Sequence, residues 1–161
     1  YNEIRDISKG TFSGLARLQS LYLQHNHISD SSSLLHELSH CTSLEVLRLN
    51  NNKISSFETA ASFPPLQSLY IGSNSISVLP SPVIRNCNKL KLIDLSNNTI
   101  SELSDDSFNG CTQLKRIKLN DNKIKFIRNA FNNLTELQTL SWLYNSVSVS
   151  MALSYLRPTA L

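Results

Sequence analysis

The sequence predicts an α/β repeat solenoid: a parallel sheet with one short strand per repeat on a concave wall, backed by irregular or short-helical convex segments. Three observations predict it. The 161 residues repeat about every 24 positions. Each repeat carries the pattern Leu-x-x-Leu-x-Leu-x-x-Asn-x-Ile. A second set of apolar positions recurs, in register, between the copies.

The copies follow in order. Leu18, Leu21, Leu23, Asn26 and Ile28 form the first, and Leu44, Leu47, Leu49, Asn52 and Ile54 the second. Leu66, Leu69, Ile71, Asn74 and Ile76 follow, then Leu90, Ile93, Leu95, Asn98 and Ile100. Leu114, Ile117, Leu119, Asn122 and Ile124 make the fifth, and the looser sixth is Leu137, Leu140, Trp142, Asn145 and Val147. The Asn-to-Asn steps are 26, 22, 24, 24 and 23 residues. A signature of this length is identified as the leucine-rich repeat, whose units stack into a curved horseshoe.

The Leu-x-Leu alternation has a period of two and reads as a strand with one buried face. One such strand cannot bury that face alone, so neighbours must stack in parallel. Each buried Leu or Ile then contributes about 1.5–3 kcal/mol. The Asn that follows stands where the chain turns inward. Its amide is suited to bonding the backbone of the adjacent coil, which makes the six asparagines a scaffold ladder.

The return segments supply the convex closure. Phe12, Leu38, Ala60, Ile84, Phe108, Phe131 and Tyr155 form one column. Leu15, Cys41, Phe63, Cys87, Cys111, Leu134 and Pro158 form another. Phe57, Leu79, Leu103 and Ile127 form a third. Asn2 and Ile4 match the tail of an earlier repeat, and Leu161 the first Leu of a later one. Residues 1–161 therefore read as a single solenoid segment without end caps, and no apolar run reaches membrane-spanning length.

The net charge of +3 gives no general case for nucleic acid. Six basic residues nevertheless gather in one repeat: Lys115, Arg116, Lys118, Lys123, Lys125 and Arg128. Arg116 and Lys118 share a strand, and Asp94 on the preceding strand can neutralise only one of them. Such a run is either a solvated face or a patch for an anionic ligand. The three cysteines read as small buried hydrophobes, with a Cys87–Cys111 disulfide as the alternative. Asn97 and Asn133 begin Asn-x-Thr sequons, acceptors for N-glycans in a secreted chain.

Residues 36–40, His-Glu-Leu-Ser-His, match the His-Glu-x-x-His of zinc proteases. Register argues against a zinc site. Leu38 and Cys41 must point inward on a short convex return, Ser43 and Val46 stand where longer zinc motifs need Gly and His, and Glu58 is on the next repeat. We expect His36, Glu37 and His40 at the surface, and His25 and His27 exposed beside Asn26. The sequence offers no catalytic constellation and calls for no cofactor or metal, so we expect no enzyme.

Two stretches narrow the family: Leu21-Tyr22-Leu23-Gln24-His25-Asn26-His27-Ile28 and Ser107-Phe108-Asn109-Gly110-Cys111-Thr112. With the insertion near Ser31–Ser33 and the short Phe57–Pro65 segment, they resemble a Toll-like receptor ectodomain of the large fish and rodent subgroup. The resemblance implies an extracellular or endosomal receptor segment that recognises a microbial ligand or protein partner, with homodimerisation of the full-length protein. Similar repeats build adhesion receptors, lamprey variable lymphocyte receptors and matrix proteoglycans, so a structural or adhesion scaffold is the alternative. Outward residues of a parallel sheet stand in fixed columns, which suits large partners. The candidate binding column is Tyr22, Arg48, Tyr70, Asp94, Lys118 and Ser141, flanked by Gln24, Asn50 and Arg116.

Overall fold

Why six three-residue strands suffice for a sheet is visible in the computed structural model, which describes residues 2–57, 63–85 and 87–146. The strands are β1 (Ser20–Tyr22), β2 (Val46–Arg48), β3 (Ser68–Tyr70), β4 (Leu92–Asp94), β5 (Arg116–Lys118) and β6 (Thr139–Ser141). They form one parallel sheet in chain order. The central residues pair Leu21 to Leu47, Leu69, Ile93, Ile117 and Leu140, so each repeat meets the next in the register of the sequence pattern. Leu47, Leu69, Ile93 and Ile117 are completely buried. Leu21 and Leu140, on the outer strands of the described sheet, are only partly buried.

The asparagine ladder is formed along the whole sheet. Asn98 Oδ1 accepts the Ile76 N–H at 2.9 Å, while its Nδ2 donates to Ile71 O and Leu95 O. Asn122 repeats this with Ile100 N–H, Leu95 O and Leu119 O. Asn26, Asn52, Asn74 and Asn145 accept from Ile4, Ile28, Ile54 and Ile124. Each amide thus joins two coils.

A second column was not apparent from the repeat pattern. The residue before each ladder Asn is left-handed: His25, Asn51, Ser73, Asn97, Asp121 and Tyr144, with φ between 54° and 58°. The sharp inward turn needs that conformation. His, Asn and Asp tolerate it well, whereas Tyr144 takes it at a cost of about 1–2 kcal/mol.

Among the described residues the convex side is mostly turns, with one helix, α1 (Ser31–Leu38), in the longest repeat. The Ser31–Ser33 insertion is its first turn. Asp30 caps it, accepting from the Ser32 and Ser33 backbone N–H groups. Leu34, Leu35 and Leu38 enter the core. Among the described residues the other return columns are buried as expected, save that Phe131 is half-buried and Leu15 is 43% exposed. Ala60, Val147, Tyr155, Pro158 and Leu161 lie outside the described residues.

Cys87 and Cys111 form a disulfide across neighbouring convex turns, so the reading of all three cysteines as free thiols is corrected. Stacking puts their Cα atoms 4.7 Å apart, within reach of a bridge. Cys41 is a buried free thiol. Burial, followed by the Glu37 charge, raises its pKa. No helix among the described residues is long and apolar enough to cross a membrane.

Candidate recognition surface on the concave wall

The third residue of each strand points out of the concave wall, and two groups of these side chains are in contact, Tyr22–Arg48–Tyr70 and Asp94–Lys118. Arg48 lies between two tyrosines, its guanidinium carbon 4.3 Å from the Tyr70 ring centroid and 5.7 Å from that of Tyr22. Such contacts contribute about 0.5–1 kcal/mol each at exposed sites. Tyr22 is exposed, while Arg48 and Tyr70 are half-buried. Further along, Lys118 Nζ stands 3.4 Å from Asp94 Oδ2, and Asp94 Oδ1 accepts the Ser96 N–H. Ser141 donates to Asn120 Oδ1. The column therefore presents a braced arginine and a neutralised Asp–Lys pair.

The six cations of the basic repeat do not share a face. Arg116 and Lys118 project from β5 into the concave side, and Lys123, Lys125 and Arg128 follow the ladder Asn122 on the way to the convex side. Lys118 is paired with Asp94, whereas no ion pair among the described residues engages Arg116. Arg116, like Arg48, is a concave cation without a carboxylate partner among the described residues.

Beside the column runs another, two residues past each strand centre plus one: Gln24, Asn50, Gly72, Ser96, Asn120 and Leu143. Gly72 breaks its row of side chains. A Cβ there would stand 2.9 Å from the Ser96 carbonyl oxygen, so the close approach of the two coils demands glycine. A depression of about 180 Å³ results, lined by Arg48, Asn50, Tyr70, Gly72, Ser73, Asp94, Ser96 and Asn97. The repeat pattern did not point to Gly72 or Ser96. The signal was there to find, a lone glycine in an otherwise side-chain-bearing column.

The remaining candidates are placed as follows. Asn97 and Asn133 are exposed, on the sheet-exit turn and a convex turn. His36 and His40 are exposed, with ring centroids 6.3 Å apart. Glu37, expected at the surface, is instead buried beneath the loop that precedes β1 and accepts the Gly10 N–H at 2.9 Å. That bond, ahead of all other causes, lowers its pKa. Glu37 turns its carboxylate to the Gly10 backbone beneath that loop, whereas the two imidazoles stand at the exposed surface. Among the described residues no three His, Cys, Asp or Glu side chains gather around a point that could hold a metal. His25 and His27, expected to be exposed, are half-buried by the coil stacked on them. Glu58 lies outside the described residues.

This chain belongs to the leucine-rich repeat family. The family model described as "Leucine rich repeat" matches residues 1–28, 64–114 and 88–146, and that for "Leucine Rich repeats (2 copies)" matches 16–62. Among curated proteins no sequence matches. A solved leucine-rich repeat protein of Leptospira interrogans is 25% identical over 92% of this chain, with a TM-score of 0.81. TLR13, solved as a complex with ssRNA13, is 28% identical over 91% of the chain, with a TM-score of 0.78. The chain spans 37% of the first protein and 21% of the second.

Proposed function

We propose that this chain is a ligand-recognition module of a Toll-like pattern-recognition receptor, facing the extracellular space or the endosomal lumen, and that it binds without catalysis. The observation that carries this reading is the likeness to TLR13, sustained through 91% of the chain at 28% identity. The disulfide supports an oxidising compartment, and the exposed sequons at Asn97 and Asn133 fit the same setting. Tyr22, Arg48 and Tyr70 form the recognition centre, since Tyr and Arg are enriched where binding energy concentrates. Arg116 gives the wall a site for an anionic ligand, single-stranded nucleic acid included, and the full-length receptor dimerises around its microbial ligand.

A structural or adhesion scaffold is the second reading. It is favoured by the internal pairing of Asp94 with Lys118, which leaves the outer part of the column little to offer a partner. Short single-stranded RNA, heparin and peptidoglycan fragments, offered to the purified chain at low and physiological salt, separate the two. The recognition reading expects saturable binding of at least one, weakened by Ala at Tyr22, Arg48 and Tyr70. For an anionic probe it also expects affinity that falls with salt and with Arg116→Glu. No binding to any probe favours the scaffold.

A further inference from the structure

The depression at Gly72 carries two features that a plain scaffold has no use for. Its first is an orphaned hydroxyl. Among the described residues, two buried side-chain polar atoms have no hydrogen-bond partner, Ser96 Oγ and Gln24 Oε1. Both belong to the one column that Gly72 interrupts. A buried polar atom without a partner costs stability, and native chains keep few of them. Two in a single column mark a track where an external partner would satisfy them.

The second feature is the state of Arg48. Its guanidinium carbon lies over the Tyr70 ring, 4.3 Å from the centroid, with the Tyr22 ring at 5.7 Å, and a guanidinium over an aromatic face keeps its N–H edges free for a further partner. No carboxylate among the described residues pairs with it. The nearest acid in the depression, Asp94, is occupied by Lys118 and the Ser96 N–H. A planar, pre-oriented donor fork of this kind matches a carboxylate with two parallel hydrogen bonds. The surrounding Asn50, Ser73, Ser96 and Asn97 side chains each both donate and accept. Sugar hydroxyls also do both, whereas an acidic peptide side chain would use only the arginine.

From these features we infer that the depression binds a carboxylated sugar residue, with its carboxylate on Arg48 and its hydroxyls on Ser96 and Asn50. At about 180 Å³ it takes one ring of a longer chain. Neighbouring coils stand about 4.8 Å apart, close to the advance of one ring along an extended oligosaccharide. Adjacent sugars would therefore run along the column toward Gln24. This inference rests on the concave wall being the recognition face, and it names the ligand chemistry of that face.

The test uses the whole chain made without N-glycans, so that none at Asn97 covers the depression. The probe is a tetrasaccharide of alternating N-acetylglucosamine and glucuronate. The control is the neutral N-acetylglucosamine tetramer, and hexaglutamate stands for an acidic peptide. Backbone amide resonances of Arg48, Gly72 and Ser96 should shift with the acidic sugar, and the neutral tetramer should bind about tenfold more weakly, having lost the charged hydrogen bonds. Arg48→Gln should abolish the difference between the two sugars. Ser96→Ala should weaken acidic-sugar binding while raising the denaturation midpoint of the unliganded chain, because it deletes an unsatisfied hydroxyl. Equal affinity for the two tetrasaccharides, absence of shifts at these residues, or a lowered midpoint in Ser96→Ala overturns the assignment. So does hexaglutamate binding as tightly as the sugar at the same amides. In each of those cases, retained binding of RNA, heparin or peptidoglycan that is lost on Ala substitution at Tyr22, Arg48 and Tyr70 would leave the recognition reading standing.

Discussion

Replacing Asn98 by Ala removes one rung of the ladder, and its bonds indicate what that costs. Four groups lose the Asn98 amide as their tie to it: Ile76 N–H, Ile71 O, Leu95 O and Ser96 O. The three carbonyls have other donors. Ile71 O also accepts from Asn74, Leu95 O from Asn122, and Ser96 O from the Ser73 N–H. Only the Ile76 N–H is left without a partner in a buried turn. One orphaned buried donor costs about 1–3 kcal/mol, so the expected loss is about 2 kcal/mol rather than the sum over all the bonds. With a urea slope of about 2 kcal/mol/M, the midpoint should fall by about 1 M with the slope unchanged. Asn98→Asp keeps an oxygen for Ile76 but turns a second oxygen onto the Ile71 and Leu95 carbonyls. At neutral pH it should destabilise more than Ala does. At Asn145, half-buried in the last described coil, Ala should cost less because water can reach the freed N–H. An unmoved midpoint for Asn98→Ala, or an equal loss at Asn145, would refute the reasoning.

Reducing the Cys87–Cys111 bridge, with a sequence separation of 24, should lower stability by about 3 kcal/mol; urea melts with and without reductant measure it. Cys41, buried and with a raised pKa, should resist a thiol reagent in the folded chain and react once urea unfolds it. Asp30→Ala should cost about 1 kcal/mol through the lost helix cap, read as a shift of the same urea midpoint. The Ser32 and Ser33 hydroxyls hold the Asp30 carboxyl at about 2, against an ordinary 3.8. A depressed acid favours the folded state above its unfolded value, so this contribution is full above pH 3.8 and is lost as pH falls through about 2. The Glu37 bond from Gly10 and the Asp105 bond from Asn129 act in the same direction. Stability followed from pH 5 downward should therefore decline, and Asp30→Ala should flatten the lowest part of that curve.

The strands and the ladder were legible because the sequence states them six times, and repetition removes the ambiguity of any one short apolar run. The left-handed column was not, since its residues share a backbone conformation and no chemistry: His25, Ser73 and Tyr144 have nothing else in common. The α1 helix hid inside an apparent insertion whose Asp-Ser-Ser-Ser start is a cap. Glu37 was misplaced because a charged residue on a short return reads as surface until a loop folds over it, and that loop lies 27 residues earlier. The cysteine column showed that Cys87 and Cys111 are neighbours, but a column of small apolar residues serves a free thiol and a bridge equally well. On the concave wall, spacing identified which side chains point outward. It could not show that Arg48 is braced by Tyr70, or that Gly72 opens a depression beside it, since both depend on side-chain packing between coils.

Whether the concave wall is the recognition face, as proposed, is measured most directly by hydrogen exchange of the whole chain, with and without whichever of RNA, heparin or peptidoglycan binds. Slowed exchange is expected only in the segments carrying β1 to β5, with unchanged exchange in α1 and in the convex turns around Leu79, Leu103 and Ile127. Protection centred on the convex turns, with the strands unaffected, would contradict that proposal.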